Sequence, residues 1–134
     1  MKKIIFSIFV LALVSACNNT PAPKVANTTP TTSIKFENDV FDFGKIVVGE
    51  KINHSFKFKN TGKIPLIISN AVASCGCTVP DWPKLPIKPN ESAKIDIVFN
   101  TVGKMGLQDK TITITANTQP NTLKVHLIGE IIEK

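Results

Sequence analysis

Three residues of this 134-residue chain carry most of the chemistry that its sequence could do: Cys75, Cys77 and His54. Cys75 and Cys77 flank Gly76. In an extended segment residues i and i+2 point to the same side, so the two thiols share a face. The glycine lets the backbone bend into a ring-closing turn between them. Three chemistries suit such a pair. It can be a local structural disulfide in an oxidising compartment. It can be a redox-active dithiol. Or its thiolates can bind a soft or borderline ion such as Cu(I) or Zn(II). Two thiolates are too few for a closed zinc site, which makes His54 the candidate third ligand. It lies near the start of one alternating segment, and Cys75 lies just past the end of the next. Antiparallel neighbours would place both at one end of the molecule. Against this, a histidine on an apolar face is more often a buried, hydrogen-bonded core residue than a ligand. A redox thiol also wants a helix N-terminus or a positive charge beside it. No helical pattern follows Cys77, and Pro80 sits close behind, which argues against a thioredoxin-like mechanism. The leading expectation is a local disulfide, with no metal and no cofactor.

The remaining composition removes whole classes. All 16 basic residues are lysines, so no arginine is present for bidentate phosphate or carboxylate clamping. There is no tyrosine, and a nucleophile–histidine–acid triad would have to use His54 or His126. His126 has the opposite parity from Leu123, Val125 and Leu127; it is expected to face solvent without a role. Asp42-Phe43-Gly44 matches the kinase metal-binding tripeptide by letters alone, and it reads as a strand end followed by a glycine turn. Gly62-Lys63 and Gly103-Lys104 lack the upstream glycine of a phosphate loop. The lysines are scattered singly on polar faces without interleaved aromatics, which speaks against nucleic-acid binding. Pro80, Pro83, Pro86 and Pro89 recur every third residue, as on one face of a polyproline II helix. The simpler reading is a stiff connection over the edge of the domain, with Trp82 covering the end of the core. No catalytic residue and no small-molecule substrate are indicated.

Cys17 belongs to a different chemistry. Lys2 and Lys3 precede a short apolar run, Ile4 to Val14, broken only by Ser7. The run is too short to remain as a membrane span and reads as a secretory signal. It ends in Val14-Ser15-Ala16-Cys17, which resembles the bacterial lipobox. That resemblance implies cleavage before Cys17 and attachment of lipid, palmitate included, to it. Loss of residues 1–16 removes two lysines and no acid, so the formal charge of +6 falls to about +4. Lipidation takes Cys17 out of the thiol count and leaves Cys75 and Cys77 as a pair. Asn18 to Ser33, rich in Asn, Thr and Pro, reads as a disordered tether. Asn18 in place of aspartate, with no acidic run after it, favours the periplasmic face of an outer membrane. The expected organisation is thus a signal peptide (1–16), a lipidated cysteine with a flexible linker (17–33) and one folded domain (34–134).

The elements that must position Cys75 and Cys77 alternate with period two. Ile52, His54, Phe56 and Phe58 share one face; Asn53, Ser55, Lys57 and Lys59 share the other. Ala93, Ile95, Ile97 and Phe99 alternate with Ser92, Lys94 and Asp96. Ile112 and Ile114 alternate with threonines. Phe36 and the Val40–Phe43 run suggest one or two short strands before Gly44. Ile64 to Val72 is apolar on both faces, as a central strand would be. No window has a helical period. About seven short antiparallel strands with polar turns predict an all-β, immunoglobulin-like β-sandwich; a small closed barrel is the competing architecture.

Residues 35–131 also resemble the bacterial domain-of-unknown-function family 1573 (DUF1573). The matching points are Phe41-Asp42-Phe43-Gly44, Gly49-Glu50, Phe56-Lys57-Phe58-Lys59-Asn60-Thr61-Gly62, Ser74-Cys75-Gly76-Cys77-Thr78 and Trp82-Pro83. The resemblance implies an immunoglobulin-like sandwich similar to Hydin-type and major-sperm-protein-type domains, and no established activity. The functional expectation is a non-enzymatic envelope lipoprotein whose domain binds or scaffolds another envelope protein. The alternative is a thiol redox or copper- or zinc-handling protein acting through Cys75 and Cys77.

Overall fold

Eight strands form two four-stranded sheets in the computed structural model, which describes residues 30–134. The signal segment, Cys17 and the linker through residue 29 lie outside the described residues. The strands are β1 (Ile34–Phe36), β2 (Val40–Val47), β3 (Lys51–Asn60), β4 (Ile68–Ala73), β5 (Thr78–Asp81), β6 (Ser92–Asn100), β7 (Gly106–Ala116) and β8 (Thr122–Ile132). One sheet has the order β1-β3-β6-β5 and the other β2-β8-β7-β4. The architecture is the expected immunoglobulin-like sandwich, with no helix among the described residues.

Three details depart from the sequence reading. There are eight strands, not about seven, and β2 runs parallel to β8 while the other pairs are antiparallel. Asp42-Phe43-Gly44 does not end a strand; β2 continues through it over a bulge. There the Gly44 N–H donates to the Asp42 carboxylate at 2.8 Å, and Gly44 takes φ +69°, a conformation that favours glycine. The bulge lays the Phe43 ring over Gly129, where a Cβ would overlap both that ring and the Gly44 carbonyl. Third, the apolar Ile64–Val72 run is not a central strand. Leu66 pairs with Ile87 as the chain passes from one sheet to the other, and only Ile68–Ala73 forms β4, at an edge.

The alternation within the longer strands sets the core. Phe56 and Phe58 of β3 and Ile95, Ile97 and Phe99 of β6 face Ile112 and Ile114 of β7 and Val125, Leu127 and Ile131 of β8, all essentially solvent-free. Burial of each such side chain is worth roughly 1.5–3 kcal/mol. Phe56 pairs in register with Ile95, as the alternation requires, while Lys57 is exposed on the other face.

The sandwich has two distinct ends. The chain enters at one, where the Thr32 N–H donates to the Asn117 carbonyl at 2.8 Å and Thr32 bridges Thr118. Buried Asn60 organises this end. Its amide donates to the Ile64 and Ile87 carbonyls, each at 2.9 Å, and its carbonyl accepts from the Thr32 hydroxyl and the Gly62 N–H. Gly62 packs against Thr32 so closely that any Cβ would overlap it, which explains the Asn-Thr-Gly turn. At the other end Lys51 pairs with Asn100 and Gly106 with Ile131. There the buried Thr101 hydroxyl donates to the Glu50 carbonyl at 2.6 Å and accepts from the Gly49 N–H at 3.0 Å.

Candidate functional site

The Cys-Gly-Cys segment connects β4 in one sheet to β5 in the other, at the end far from chain entry. Its backbone is tied on both sides. The Ser74 N–H donates to the Thr111 carbonyl at 2.8 Å, and the Asn100 N–H donates to the Cys77 carbonyl at 2.9 Å. Within the turn the Thr78 N–H donates to the Cys75 carbonyl at 3.2 Å. Cys75 and Cys77 are joined as a disulfide with Cα atoms 5.3 Å apart. Both residues are half-buried, and the Thr78 hydroxyl lies 3.5 Å from Cys75 Sγ.

Cys77 lines an open cavity of about 340 Å³ with Lys51, Lys104, Val79, Val98 and Val102. Neither lysine is in an ion pair among the described residues, and no carboxylate lines the cavity. Apolar side chains at this end are open to solvent: Val79, Val102, Met105 and Leu107 are each at least half exposed. Sequence reasoning missed both lysines, because Lys51 and Lys104 meet Cys77 only once β3, β6 and β5 are in register.

His54 is not part of this site. Its strand and β4 belong to different sheets, so the expected antiparallel neighbourhood does not exist. In register it opposes Ile97, and its ring stacks on Phe41 of β2 at 3.7 Å with a second, edge-on contact to Phe56 at 4.7 Å. Partial burial lowers its pKa from the usual 6.5. It packs between the sheets, and the Cys75, Cys77, His54 ligand set is not assembled. No cluster of three or more potential ligands occurs among the described residues.

Two other polar groupings came into view only with the fold. On the outer face of the β3–β6 sheet, Ser55 donates to Asp96, which also pairs with Lys94 at 2.9 Å. The Ser55 hydrogen bond, followed by that of Lys94, holds the Asp96 carboxyl below its ordinary value. On the β7–β8 pair His126 Nδ1 lies 2.9 Å from the Asp109 carboxylate and 3.4 Å from the Thr111 hydroxyl. Both partners meet the same ring nitrogen. A proton relay needs acid and nucleophile on opposite nitrogens, so this grouping does not make a triad. The Pro80–Pro89 stretch is tied into the domain along its length. Pro80 lies in β5, buried Ile87 pairs with Leu66, and Trp82 packs on the core beneath Lys84, whose Nζ is 3.0 Å from the ring centre.

The four edge strands differ in how they are protected. β1 carries Lys35, β2 carries Asp42, Lys45 and its bulge, and β5 carries Pro80 and Asp81. The register of β5, with the Cys77–Asn100 bond, turns the Thr78 and Pro80 nitrogens outward. Thr78 spends its N–H on Cys75, and proline has none, so this edge offers no donor there. β4 (Ile-Ser-Asn-Ala-Val-Ala) has neither a charge nor a proline. Its Ser74–Thr111 bond and the Ala73–Ile112 pair place the peptide groups of Ala71 and Ala73 on the outer edge. No strand pairs with that edge among the described residues.

The family described as "Protein of unknown function (DUF1573)" matches residues 34–131. The chain belongs to this family. The Cys-Gly-Cys turn, the Asn60 hub and the β2 bulge are thus features of a DUF1573 domain. No curated protein matches the chain by sequence. Among solved structures, a protein of unknown function from Porphyromonas gingivalis W83 superposes with a TM-score of 0.67 at 19% identity, over 84% of this chain. The match takes in 51% of that protein, so the chain spans about half its length. The human CEP192 ASH/PapD-like domain 7 superposes with a TM-score of 0.63 at 16% identity, covering 96% of this chain and 99% of its own. The E. coli chaperone DraB gives 0.54 at 8% identity, over 78% of this chain and 56% of its own. At these identities the likeness is one of fold.

Proposed function

We propose that this DUF1573 domain is a non-enzymatic binding module of the bacterial envelope, anchored by lipid on Cys17 to the periplasmic face of the outer membrane. Its partner is another envelope protein, which it engages by accepting an extended segment of that protein along β4. The observation that carries this reading is the contrast between β4 and the other three edges. Soluble β proteins protect edge strands with charges, prolines and bulges because an open edge pairs with any compatible strand. Here three edges carry a charge or a proline, whereas β4 carries neither, and its one register shift lies between Ile68 and Asn70, ahead of the Ala71–Ala73 edge. Added strands draw affinity from main-chain hydrogen bonds and selectivity from side chains on alternate faces. Exposed Val72 between Ala71 and Ala73 suits a partner segment of uncharged, β-branched residues.

The test uses a photo-crosslinking residue at position 72 in cells, with position 79 on the protected β5 edge as the comparison. The reading requires a discrete adduct with one envelope protein from position 72 and none from 79. It also requires that Ala73→Pro abolish the adduct. The Ala73 N–H points away from β7, so proline there removes an outward donor without breaking the ladder. An adduct that survives Ala73→Pro, or equal adducts from both positions, overturns strand addition. The anchor is tested separately: Cys17→Ser releases the protein from membranes or blocks its processing, and normal maturation with retention in the detergent phase refutes lipidation.

A further inference from the structure

We propose that the Cys75–Cys77 disulfide is a reversible thiol–disulfide exchange site that accepts two electrons from a dithiol, with Cys77 as the sulfur attacked. This goes beyond the binding reading, and it uses the far end of the sandwich, not the β4 edge.

Four observations converge. The disulfide spans a sequence separation of two, so it ties no two strands together that the chain does not already join. Ser74, Cys77 and Thr78 are held by backbone hydrogen bonds to β7, to β6 and within the turn, so the turn keeps its place when the sulfurs part. Both cysteines are partly exposed, and Cys77 lines an open cavity through which a thiolate can approach. Lys51 and Lys104 line the same cavity, with no carboxylate among its walls. Positive charge there draws in an attacking thiolate and stabilises the thiolate that Cys77 becomes.

The chemistry balances. A thiolate of the dithiol attacks Cys77 Sγ from the cavity, forms a mixed disulfide, and breaks the Cys75–Cys77 bond. Cys75 leaves as a thiolate beside the Thr78 hydroxyl, 3.5 Å away, which donates to it. The second thiolate of the dithiol then attacks the sulfur of its own first thiol in the mixed disulfide. That expels Cys77 as a thiolate next to the lysines. The protein disulfide has gained two electrons, the dithiol has become a disulfide, and the two protein thiolates take protons from water as the pH dictates.

The experiment treats the folded, oxidised protein with dithiothreitol and follows free thiols by alkylation and mass, with the unfolding transition recorded before and after. Native protein is expected to be reduced fully, to remain folded, and to re-form the bond with oxidised dithiothreitol. Resistance to dithiothreitol until the protein is denatured, or unfolding upon reduction, overturns the proposal. The direction of attack is read by trapping the mixed disulfide with excess glutathione and mapping it to Cys77 or Cys75 by peptide mass, and the effect of the lysines by iodoacetamide alkylation of Cys77 in Cys75→Ser and of Cys75 in Cys77→Ser across pH. Cys77 is expected to react at lower pH, and Lys51→Gln with Lys104→Gln is expected to shift its profile upward by about half to one pH unit. A mixed disulfide mapped to Cys75, or a Cys77 profile that the two lysine substitutions leave unmoved, overturns the assignment of Cys77.

Discussion

The two ends of this sandwich solve opposite problems with similar materials. Where the chain enters, a fully buried amide on Asn60 makes four hydrogen bonds, and Gly62 and Thr32 close against each other without room for a methyl group. At the far end, Thr101 makes a smaller hub of two bonds, and the same end carries exposed valines, a leucine, two lysines with no ion pair among the described residues and a partly exposed disulfide. One end consumes its polar groups internally; the other leaves reactive and apolar groups at the surface. Buried polar networks make their neighbourhood rigid when every member is satisfied, and no buried side-chain nitrogen or oxygen among the described residues lacks a partner. The difference teaches that the fold does not need its far end to be chemically quiet.

The shared core between the ends sets the scale. Phe56→Ala is expected to cost about 3–5 kcal/mol in denaturant unfolding, because a large buried ring is removed from a packed interior. Lys57→Ala, exposed on the opposite face, is expected to be nearly silent. Comparable losses at the two positions would refute the register of β3. Next comes the entry end: Asn60→Ala leaves the Gly62 N–H without its acceptor and breaks three further hydrogen bonds, to the Thr32 hydroxyl and the Ile64 and Ile87 carbonyls, which keep one partner each, at a cost of about 3 kcal/mol. Thr101→Ala at the far end breaks two bonds and should cost about half as much. Equal effects would erase the contrast between the ends.

The disulfide is the sharper comparison. Chain-entropy reasoning assigns a cross-link around so short a loop only about 1.5 kcal/mol. Replacing Cys75 and Cys77 together by serine should therefore lower stability less than Asn60→Ala does, as read by the same denaturant midpoints. If the serine pair unfolds the domain, the far end is a structural staple, and the contrast drawn above fails.

Much of this arrangement was legible from the sequence. The alternation at Phe56 and Phe58, Ile95 and Ile97, and Ile112 and Ile114 gave the sandwich and most of its core, because period-two patterning follows directly from strand geometry. The Cys-Gly-Cys pair could be placed at an end. What the sequence did not disclose is which sheet each strand joins. Ile64 to Val72 looks central by composition, yet the crossing at Leu66 and Ile87 shields its first half and leaves β4 at an edge. The same unknown misplaced His54 beside Cys75, and it hid Lys51 and Lys104, which lie far from Cys77 in the chain but near it in register. Pairing across sheets is a property of the whole topology, and no local window carries it.

His54 offers the smallest expected effect, and it tests whether the sheets are held together near the middle as firmly as at the entry end. Its ring joins the two sheets by stacking on Phe41, and partial burial lowers its pKa from 6.5. The folded state therefore favours the neutral ring. Above pH 6.5 both folded and unfolded chains hold it neutral, and its contribution is fully present. As the pH falls below 6.5 the unfolded chain takes up the proton first, so stability declines until the pH passes the lowered folded value. Asp96 acts lower on the scale. Its carboxyl is held below 3.8, so its contribution persists until the pH falls toward that range. Between about pH 6.5 and 4 the slope thus reports chiefly on the histidine. His54→Phe keeps a ring against Phe41 and cannot take a proton, so it should flatten that limb of the stability curve. Asn60→Ala should lower the whole curve while leaving the slope alone. A slope that His54→Phe leaves unchanged would mean that the Phe41–His54 stack opens before the ring titrates, and that the two sheets separate more readily here than at the Asn60 hub.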